Sequence, residues 1–321
     1  MTVEQERRRA ARAAGVAIGR ATATVAGAAR GIGAGIFMPV PPRPDWQRRI
    51  WARRDPGFSD ALMWVSLLAG RANVIMQLAR PGVGHGVAES RVESGRADLH
   101  PVKRARTTFT YLAVAYRGTA EQKAVYRRAV DGSHRQVRST PESPVKYNAF
   151  DRDLQLWVAA CLYKGGVDVW HQFIGPMDPE TAEAHYRAGA VLGTTLQVHP
   201  DQWPEDLAAF ERYWNDSLER VHIDDAVRRY LNDLVVKDDL PKLIRKPVND
   251  LALLLATGFL PQRFRDEMRW DWDDERQRRF ERLLAVCSAV VALSPRPLRE
   301  FPFNVLLLDL DRRVRRGIPL V

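Results

Sequence analysis

From residue 55 to the C-terminus, apolar side chains recur every three or four positions, and this limits the possible folds more than any other feature. A repeat of about 3.6 residues is that of an amphipathic helix, whereas a half-buried strand alternates with a period of two. Long period-two runs are scarce, and no Asn-Gly or Asp-Gly turn joins two alternating segments. We therefore predict an all-α fold, with a single large helical domain over 46–321 behind a basic, helical N-terminal arm and proline-rich linker over 1–45.

Caps, prolines and apolar stripes locate the individual helices. Helices are predicted over 59–79, 102–117, 120–137, 151–174, 223–236, 248–259 and 274–293, and two more are predicted to start at Asp178-Pro179-Glu180 and Trp203-Pro204-Glu205. The segment Gly82-Val83-Gly84-His85-Gly86 follows a helix and is predicted to be a turn. The apolar run 248–259 is too short to span a membrane, so we expect it to be buried. A cluster of acids is predicted to cap a helix rather than to bind a metal ion: Asp271, Asp273, Asp274 and Glu275.

The positive charge of the chain, formally +10, is concentrated near its N-terminus. Residues 1–54 hold 11 of the 49 Lys and Arg residues but only three of the 39 acidic residues, so the remainder is nearly neutral. A nucleic-acid-binding domain more often carries its own basic stripe, so we expect no nucleic-acid partner.

The arm itself is rich in Ala, Gly and Val over residues 10–37. Arg12, Arg20 and Arg30 interrupt this stretch, which argues against a membrane-spanning helix. Two interpretations stay open for residues 1–40: a solvated helical terminus, or a peripheral contact with an anionic membrane surface.

Two cysteines, Cys161 and Cys287, are too few for a disulfide framework, a thiolate zinc site or a cysteine-ligated iron–sulfur cluster. We therefore expect a reducing, cytoplasmic setting, with peripheral attachment at the inner membrane surface as the alternative. Motifs of other enzyme classes, such as the P-loop, Gly-x-Ser-x-Gly and His-Glu-x-x-His, do not occur.

Among the seven histidines, His134 lies on the shoulder of the apolar stripe of the 120–137 helix, near Arg127 and Arg138. An imidazole in such a position can bind a haem iron, and guanidinium groups can bind its propionates. On the preceding helix, Arg104 and Thr108 are i, i+4 neighbours that can bind a carboxylate or polarise bound oxygen. A satisfied structural histidine, a surface arginine and a core-edge threonine give the same pattern, so the residues alone leave both interpretations open.

Eight sequence blocks, taken in order and spacing, carry more information than any one of them. They are Pro101-Val102-Lys103-Arg104-Ala105-Arg106-Thr107-Thr108, Tyr111-Leu112-Ala113-Val114, Gly118-Thr119, Ser133-His134-Arg135-Gln136-Val137-Arg138, Tyr147-Asn148-Ala149-Phe150-Asp151, Leu154-Gln155-Leu156-Trp157-Val158, Gly175-Pro176 with the following helix, and Gly193-Thr194-Thr195. Together they resemble the MpaB-type oxygenase family, which includes rubber oxygenase, also called latex clearing protein. The resemblance covers residues 57–200 and implies an all-α fold that holds a haem b.

The resemblance also implies site residues by position. Rubber-cleaving members use an axial histidine and, about one helix earlier, an arginine and a threonine at i, i+4, which fall on His134, Arg104 and Thr108. A carboxylate base upstream of the arginine falls on Glu89, and Arg138 remains a candidate for a haem propionate.

The chain departs from the family pattern at three positions. Rubber-cleaving members place a lysine where this chain has Thr107, and many members carry histidines where it has Ala159 and Arg80. Because a threonine hydroxyl is a poor haem ligand, we expect the resting iron to be open or water-bound.

The resemblance therefore predicts a haem-b-dependent oxygenase that uses O₂ on a hydrophobic small molecule, of isoprenoid or lipid type. The alternative is a non-catalytic, membrane-associated helical protein that keeps the family fold. The substitutions Thr107, Ala159 and Arg80 keep this alternative open.

Overall fold

The computed structural model describes residues 43–90 and 100–321, and within these ranges the elements are helices, without a β-strand. The α-helices are α1 (Asp45–Arg54), α2 (Gly70–Leu78), α3 (Pro81–Ala88), α4 (Pro101–Arg117), α5 (Ala120–His134), α6 (Arg152–Phe173), α7 (Pro179–Gly189), α8 (Val191–Thr194), α9 (Leu207–Leu218), α10 (Asp225–Val235), α11 (Lys242–Phe259), α12 (Gln262–Met268), α13 (Asp274–Leu293), α14 (Arg296–Arg299) and α15 (Phe303–Arg316). Short 3₁₀ helices cover Phe58–Ala61, Trp64–Ala69 and Pro200–Gln202.

The all-α prediction is confirmed. Pro41–Val321 forms one compact unit, and the predictions for residues 1–40 concern a segment outside the described residues.

Side-chain caps explain where most of these helices begin. Thr119 and Gln122 form the predicted capping box of α5, and Asp178 accepts a hydrogen bond from the backbone N–H of Thr181 at the start of α7. Asp273 accepts from the backbone N–H of Arg276, so this member of the predicted acidic cluster does cap α13.

The segment Gly82–Gly86 is helical, so the prediction of a turn there is wrong. Pro81 occupies the first turn of α3, where a missing N–H costs nothing, and the helix runs on to Ala88. Gly84 serves close packing instead, because a Cβ at this position would lie 2.6 Å from the backbone oxygen of Leu78.

Three other predicted boundaries move. The stretch 59–79 divides into two 3₁₀ helices and α2, and α5 ends at His134, three residues before the predicted end. The helix expected to start at Trp203 starts at Leu207, because Asp206 is the residue that caps it.

The α11 helix begins six residues earlier than predicted and contains Pro247 near its start. Its C-terminal part is mostly buried, but Val248 and Leu251 are exposed, which corrects the expectation that the whole apolar run is buried. Within the part of the chain that the structure describes, no helix is long and apolar enough to cross a membrane.

The long, mostly buried helix α6 lies at the centre of the fold and packs against α2, α8 and α13. Its Trp157 stacks on Trp214 of α9 with ring centroids 5.1 Å apart. Helices α4 and α15 run antiparallel, since Arg117 pairs with Glu300 at one end and Arg106 faces Asp309 toward the other. This arrangement leaves a space between α4, α6 and the α2–α3 pair.

Candidate active site

A cavity of about 720 Å³ fills the space between these helices, a size within the range of small-molecule and cofactor sites. Its lining is mainly apolar and includes Leu67, Val74, Val83, Phe109, Leu154 and Leu162. Pro101, Val102 and Arg104 also line it and are exposed, so the first turn of α4 borders the opening. Such a cavity suits a largely apolar ligand with a polar or charged edge at the opening.

His134, the last residue of α5, lines this cavity, and its orientation is set by a chain of hydrogen bonds. Gln197 donates from Nε2 to Asp131 Oδ1 at 2.5 Å, and its Oε1 lies 3.2 Å from His134 Nδ1. Because a carboxylate can only accept, the amide of Gln197 must direct its oxygen toward the imidazole. His134 therefore carries its proton on Nδ1 and leaves Nε2 unprotonated, the state in which an imidazole ligates a metal.

Burial lowers the pKa of His134, against the opposing effect of the hydrogen bond to Gln197. The positive charge of Arg104 lowers this pKa further, while Asp131 raises it. His134 is thus neutral at neutral pH, and Arg104 lies close enough for its charge to lower the pKa of His134.

Arg104 and Thr108 lie on one face of α4, and both line the cavity together with Tyr111. Within the described ranges no acidic side chain forms an ion pair with Arg104. Thr107, which precedes Thr108, is not part of the cavity lining, and its hydroxyl donates to the backbone oxygen of Lys103 at 3.0 Å.

Glu89 follows α3, is exposed, and does not itself line the cavity. Its carboxylate accepts hydrogen bonds from Ser143 Oγ at 2.7 Å and from the hydroxyl of Tyr147 at 3.1 Å, and Tyr147 itself lines the cavity. Burial would raise the pKa of Glu89, but these bonds and one from His85 lower it overall. Glu89 is therefore ionised, and its hydrogen bond with Tyr147 connects it to a residue of the cavity lining.

From the sequence, His85 is a candidate only for a second iron ligand, should the resting iron be six-coordinate. It lies at i, i+4 from Glu89, a spacing that signals contact only within a helix. His85 is buried, with Nδ1 2.6 Å from Glu89 Oε1 and Nε2 2.6 Å from Asp224 Oδ2. Desolvation alone would lower the pKa of His85, but the hydrogen bonds and charges of the two carboxylates raise it. Both ring nitrogens are engaged, so this histidine forms a charged clamp between α3 and α10.

Of the remaining residues singled out in the sequence, Arg138 and Arg80 lie outside the cavity lining and Ala159 belongs to it. Arg138 is exposed and outside the cavity lining, where its backbone forms an isolated bridge to Asn148, so its contact with a propionate stays a prediction. Arg80 is buried and bonds Asp153, whereas Ala159 lines the cavity.

Two glycines of α6 that sequence reasoning missed shape the opposite wall. A Cβ at Gly165 would lie 2.3 Å from Asn73 Nδ2, and one at Gly166 would lie 2.5 Å from the hydroxyl of Tyr116. Asn73 donates to the backbone oxygen of Cys161 at 2.6 Å, so this polar contact is fixed close to the helix. A side chain in place of either glycine would therefore clash with Asn73 or Tyr116.

Comparison with known proteins places the chain in a family. The sequence model described as ER-bound oxygenase mpaB/B′/Rubber oxygenase, catalytic domain, matches residues 60–289. The "Uncharacterized protein Rv2237" of Mycobacterium tuberculosis (strain ATCC 25618 / H37Rv) and the "Uncharacterized protein Mb2261" of Mycobacterium bovis (strain ATCC BAA-935 / AF2122/97) are each 49% identical over 256 residues, which is 79% of this chain and all of each relative. No solved structure matches the chain. The resemblance found in the sequence blocks is confirmed: the chain belongs to the family of mpaB/B′ and rubber oxygenase catalytic domains, an oxygenase family.

Proposed function

We propose that this protein is a haem-b-dependent oxygenase that acts on a hydrophobic small molecule, with His134 as the protein ligand of the iron. The observation that carries the proposal is a neutral imidazole, held by Gln197, in the wall of a large apolar cavity. The oxygenase family supplies the general class of reaction, in which O₂ and a substrate are the partners.

The residues present fit a haem. A haem iron needs one strong ligand from the protein, such as a proximal histidine. Gly165 and Gly166 of α6 also line the cavity, and Asn73 and Tyr116 fill the space beside them. Arg104 at the opening is suited to a propionate, since a guanidinium forms strong charge-assisted hydrogen bonds with carboxylates. Within residues 43–90 and 100–321, no group of three or more His, Cys, Asp or Glu side chains is arranged to hold a bare metal ion.

When bound, the haem would supply the redox and O₂ chemistry that amino-acid side chains cannot perform. The chain's own residues orient and protect it. Asp131 and Gln197 hold the His134 ring in one tautomer, and the apolar lining excludes water. Thr108 offers a hydroxyl that can donate to a polar group within the cavity.

The hydrogen bond between Glu89 and Tyr147 connects an exposed, ionised carboxylate to the cavity lining. The Tyr147 hydroxyl lies 3.1 Å from Glu89 Oε2, so a proton can move between a cavity ligand and Glu89 through this phenol. The base suggested by the resemblance would then act through Tyr147 rather than by direct contact.

The mainly apolar lining favours an isoprenoid- or lipid-like substrate. A cytoplasmic location is part of the proposal, because both cysteines are free thiols, as expected in a reducing compartment.

The test is the absorption spectrum of the purified full chain titrated with haemin. We expect a Soret band that His134→Ala abolishes or shifts strongly, while far-ultraviolet circular dichroism stays unchanged. His222→Ala is the matched control, because His222 is an exposed histidine outside the cavity. A wild-type haem content and spectrum in His134→Ala would refute the assignment of the ligand.

The same preparation tests the state of the iron. With threonine at position 107, cyanide or imidazole should bind readily and shift the Soret band. A six-coordinate, low-spin resting spectrum that resists these ligands would contradict an open or water-bound site. A chain that takes up no haem at all would favour the non-catalytic alternative.

A further inference from the structure

Helices α11 and α13 carry a group of large aliphatic side chains that face solvent. These are Leu243, Ile244, Val248 and Leu251 on α11, and Val286, Val290 and Leu293 on α13. Single exposed aliphatic residues are normal in a protein surface, but several on two adjacent helices form a patch that calls for a partner.

The two helices contact each other. At the connected end, a Cβ at Gly258 would touch the ring of Phe280, and Phe259 packs edge-to-face on the same ring at 5.0 Å. If the two helices run antiparallel from this contact, counting the same number of residues along each places Val248 beside Val290 and Ile244 beside Leu293–Ser294. This register would make the exposed aliphatic residues one surface at the end of the two helices far from Phe280, which we name the hairpin face.

The chemistry of the solvent side of α13 changes halfway along the helix. Its first half exposes charged side chains, among them Glu275, Arg278 and Arg282, as expected of a surface helix. Its second half exposes Val286, Val290 and Leu293 on the same side. Since the first half of α13 exposes charged side chains, the exposed aliphatic side chains are confined to its second half.

Basic residues surround the hairpin face. Helix α1 packs beside the aliphatic half of α13, with Gln47 bonded to Ser288, and it exposes Arg48, Arg49 and Arg53 with one acid, Asp45. The first turns of α11 add Lys242, Arg245 and Lys246, and Arg296 follows α13. The acids near this end are Asp55, Asp238, Asp239, Asp250 and Glu300. Asp45 pairs with Arg48, Asp250 with Lys246 and Glu300 with Arg296, so Arg49, Arg53, Lys242 and Arg245 are the basic residues outside these pairs. Aliphatic side chains between two basic helices are the pattern of a surface that binds anionic lipid headgroups and inserts shallowly.

We propose that the hairpin face docks this protein on an anionic lipid surface. A second copy of the chain is a poorer occupant, because a two-fold contact through this face would bring the arginines of α1 and the lysines of α11 toward like charges. The inference is separate from the haem and concerns the body of the protein, not residues 1–40.

The hairpin face also lies close to the cavity. Lys237, which lines the cavity, donates its backbone N–H to Asn249 Oδ1 at 2.9 Å, and Asn249 is the neighbour of the exposed Val248. Docking through this face would hold the cavity within a few residues of the lipid, which shortens the path of a hydrophobic substrate through water.

The test is co-sedimentation of the full chain with vesicles of phosphatidylcholine alone or of phosphatidylcholine mixed with phosphatidylglycerol. We expect binding to the mixed vesicles that weakens with salt. Val290→Gln together with Leu293→Gln should reduce binding about tenfold or more, because two aliphatic side chains can no longer enter the lipid. The matched control is Leu308→Gln with Val314→Gln on α15, whose exposures of 68% and 46% resemble the 49% and 67% of Val290 and Leu293.

Circular dichroism and haemin binding should be the same for both double variants, so a failure of the haem proposal leaves this test intact. Equal vesicle binding by the two double variants would overturn the inference. So would a loss of binding caused only by Arg12→Glu, Arg20→Glu and Arg30→Glu, since the contact would then lie in the arm. A wild-type dimer that Val290→Gln/Leu293→Gln converts to a monomer, with lipid binding unchanged, would assign the face to a second copy.

Discussion

Two histidines near the cavity, the half-buried His134 and the buried His85, have opposite electrostatic surroundings. His134 has one partner, the neutral amide of Gln197, and burial lowers its pKa. His85 has two partners, the carboxylates of Glu89 and Asp224, which raise its pKa in spite of desolvation. The comparison shows that the chemistry of the partners, and not burial itself, decides whether an imidazole is neutral or charged.

The difference also separates two uses of the same side chain. A neutral imidazole with one engaged nitrogen keeps a lone pair for an external ligand, whereas an imidazolium with both nitrogens engaged has none. His134 is thus suited to bind something in the cavity, and His85 to hold α3 against α10. Stability and ligand binding should respond differently to the loss of each ring.

The largest expected effect is on stability. His85→Ala leaves the carboxylates of Glu89 and Asp224 without their shared cation, and breaking a fully buried pair costs about 3–5 kcal/mol. Because both carboxylates are partly exposed, we expect a loss of about 2–3 kcal/mol in the free energy of unfolding. His134→Ala should cost about 1 kcal/mol or less, since it removes one neutral hydrogen bond.

Urea denaturation of the two variants, without haem, measures this contrast. Equal losses in His85→Ala and His134→Ala would show that the clamp contributes no more than an ordinary contact. In that case the distinction between the two histidines would not hold for stability.

A smaller effect is expected on the affinity for haemin. Gln197→Leu removes the acceptor of the His134 Nδ1 proton, and such outer-shell changes typically weaken metal binding about 10–100-fold. We expect haemin affinity to fall about tenfold, with helicity unchanged. Gln136→Leu is the control, because Gln136 is an exposed glutamine two residues after His134. Unchanged affinity in Gln197→Leu would mean that the amide does not orient the ring.

The subtlest contrast is in pH dependence. Because the folded-state pKa of His85 is raised, its contribution to stability is present below the ordinary pKa of 6.5 and is lost as pH rises through the folded value. Because the folded-state pKa of His134 is lowered, this histidine destabilises the fold as pH falls below 6.5. The lowered pKa values of Glu89 and Asp224 make the clamp weaken again when pH falls through their folded values.

Unfolding free energies of His85→Gln and His134→Gln, measured from about pH 5 to 9 without haem, should therefore diverge from the wild type in opposite directions. The deficit of His85→Gln should shrink as pH rises. His134→Gln should gain relative to the wild type as pH falls. Parallel profiles would contradict the assignment of one charged and one neutral ring.

The sequence was informative wherever the signal is local. The i, i+4 spacing of Arg104 and Thr108 fixed their common face on α4, and the capping box at Thr119 fixed the start of α5 and thereby the phase of His134. These features depend on a few neighbouring residues, and their geometry is set by the helix itself.

Neither the clamp formed by His85 nor the hydrogen bond between Gln197 and His134 could be predicted in the same way. Asp224 lies 139 residues after His85, and Gln197 lies 63 residues after His134, so only tertiary packing brings each pair together. The turn predicted over Gly82–Gly86 is wrong for a related reason. The close contact between Gly84 and Leu78, which favours glycine inside α3, cannot be read from the order of residues along the chain.

Asp224 uses its two oxygens for different purposes, and this limits how the position can change over evolution. Its Oδ1 accepts from the backbone N–H groups of Ala226 and Val227 at the start of α10, while its Oδ2 accepts from His85. A serine or threonine would preserve the helix start but remove the carboxylate from His85, and a glutamate is a poor cap. Asparagine alone could keep both contacts, by donating to a neutral imidazole. Drift at this position is therefore restricted to Asp and Asn, and a change to Asn would be tolerated only together with the loss of the charge on His85.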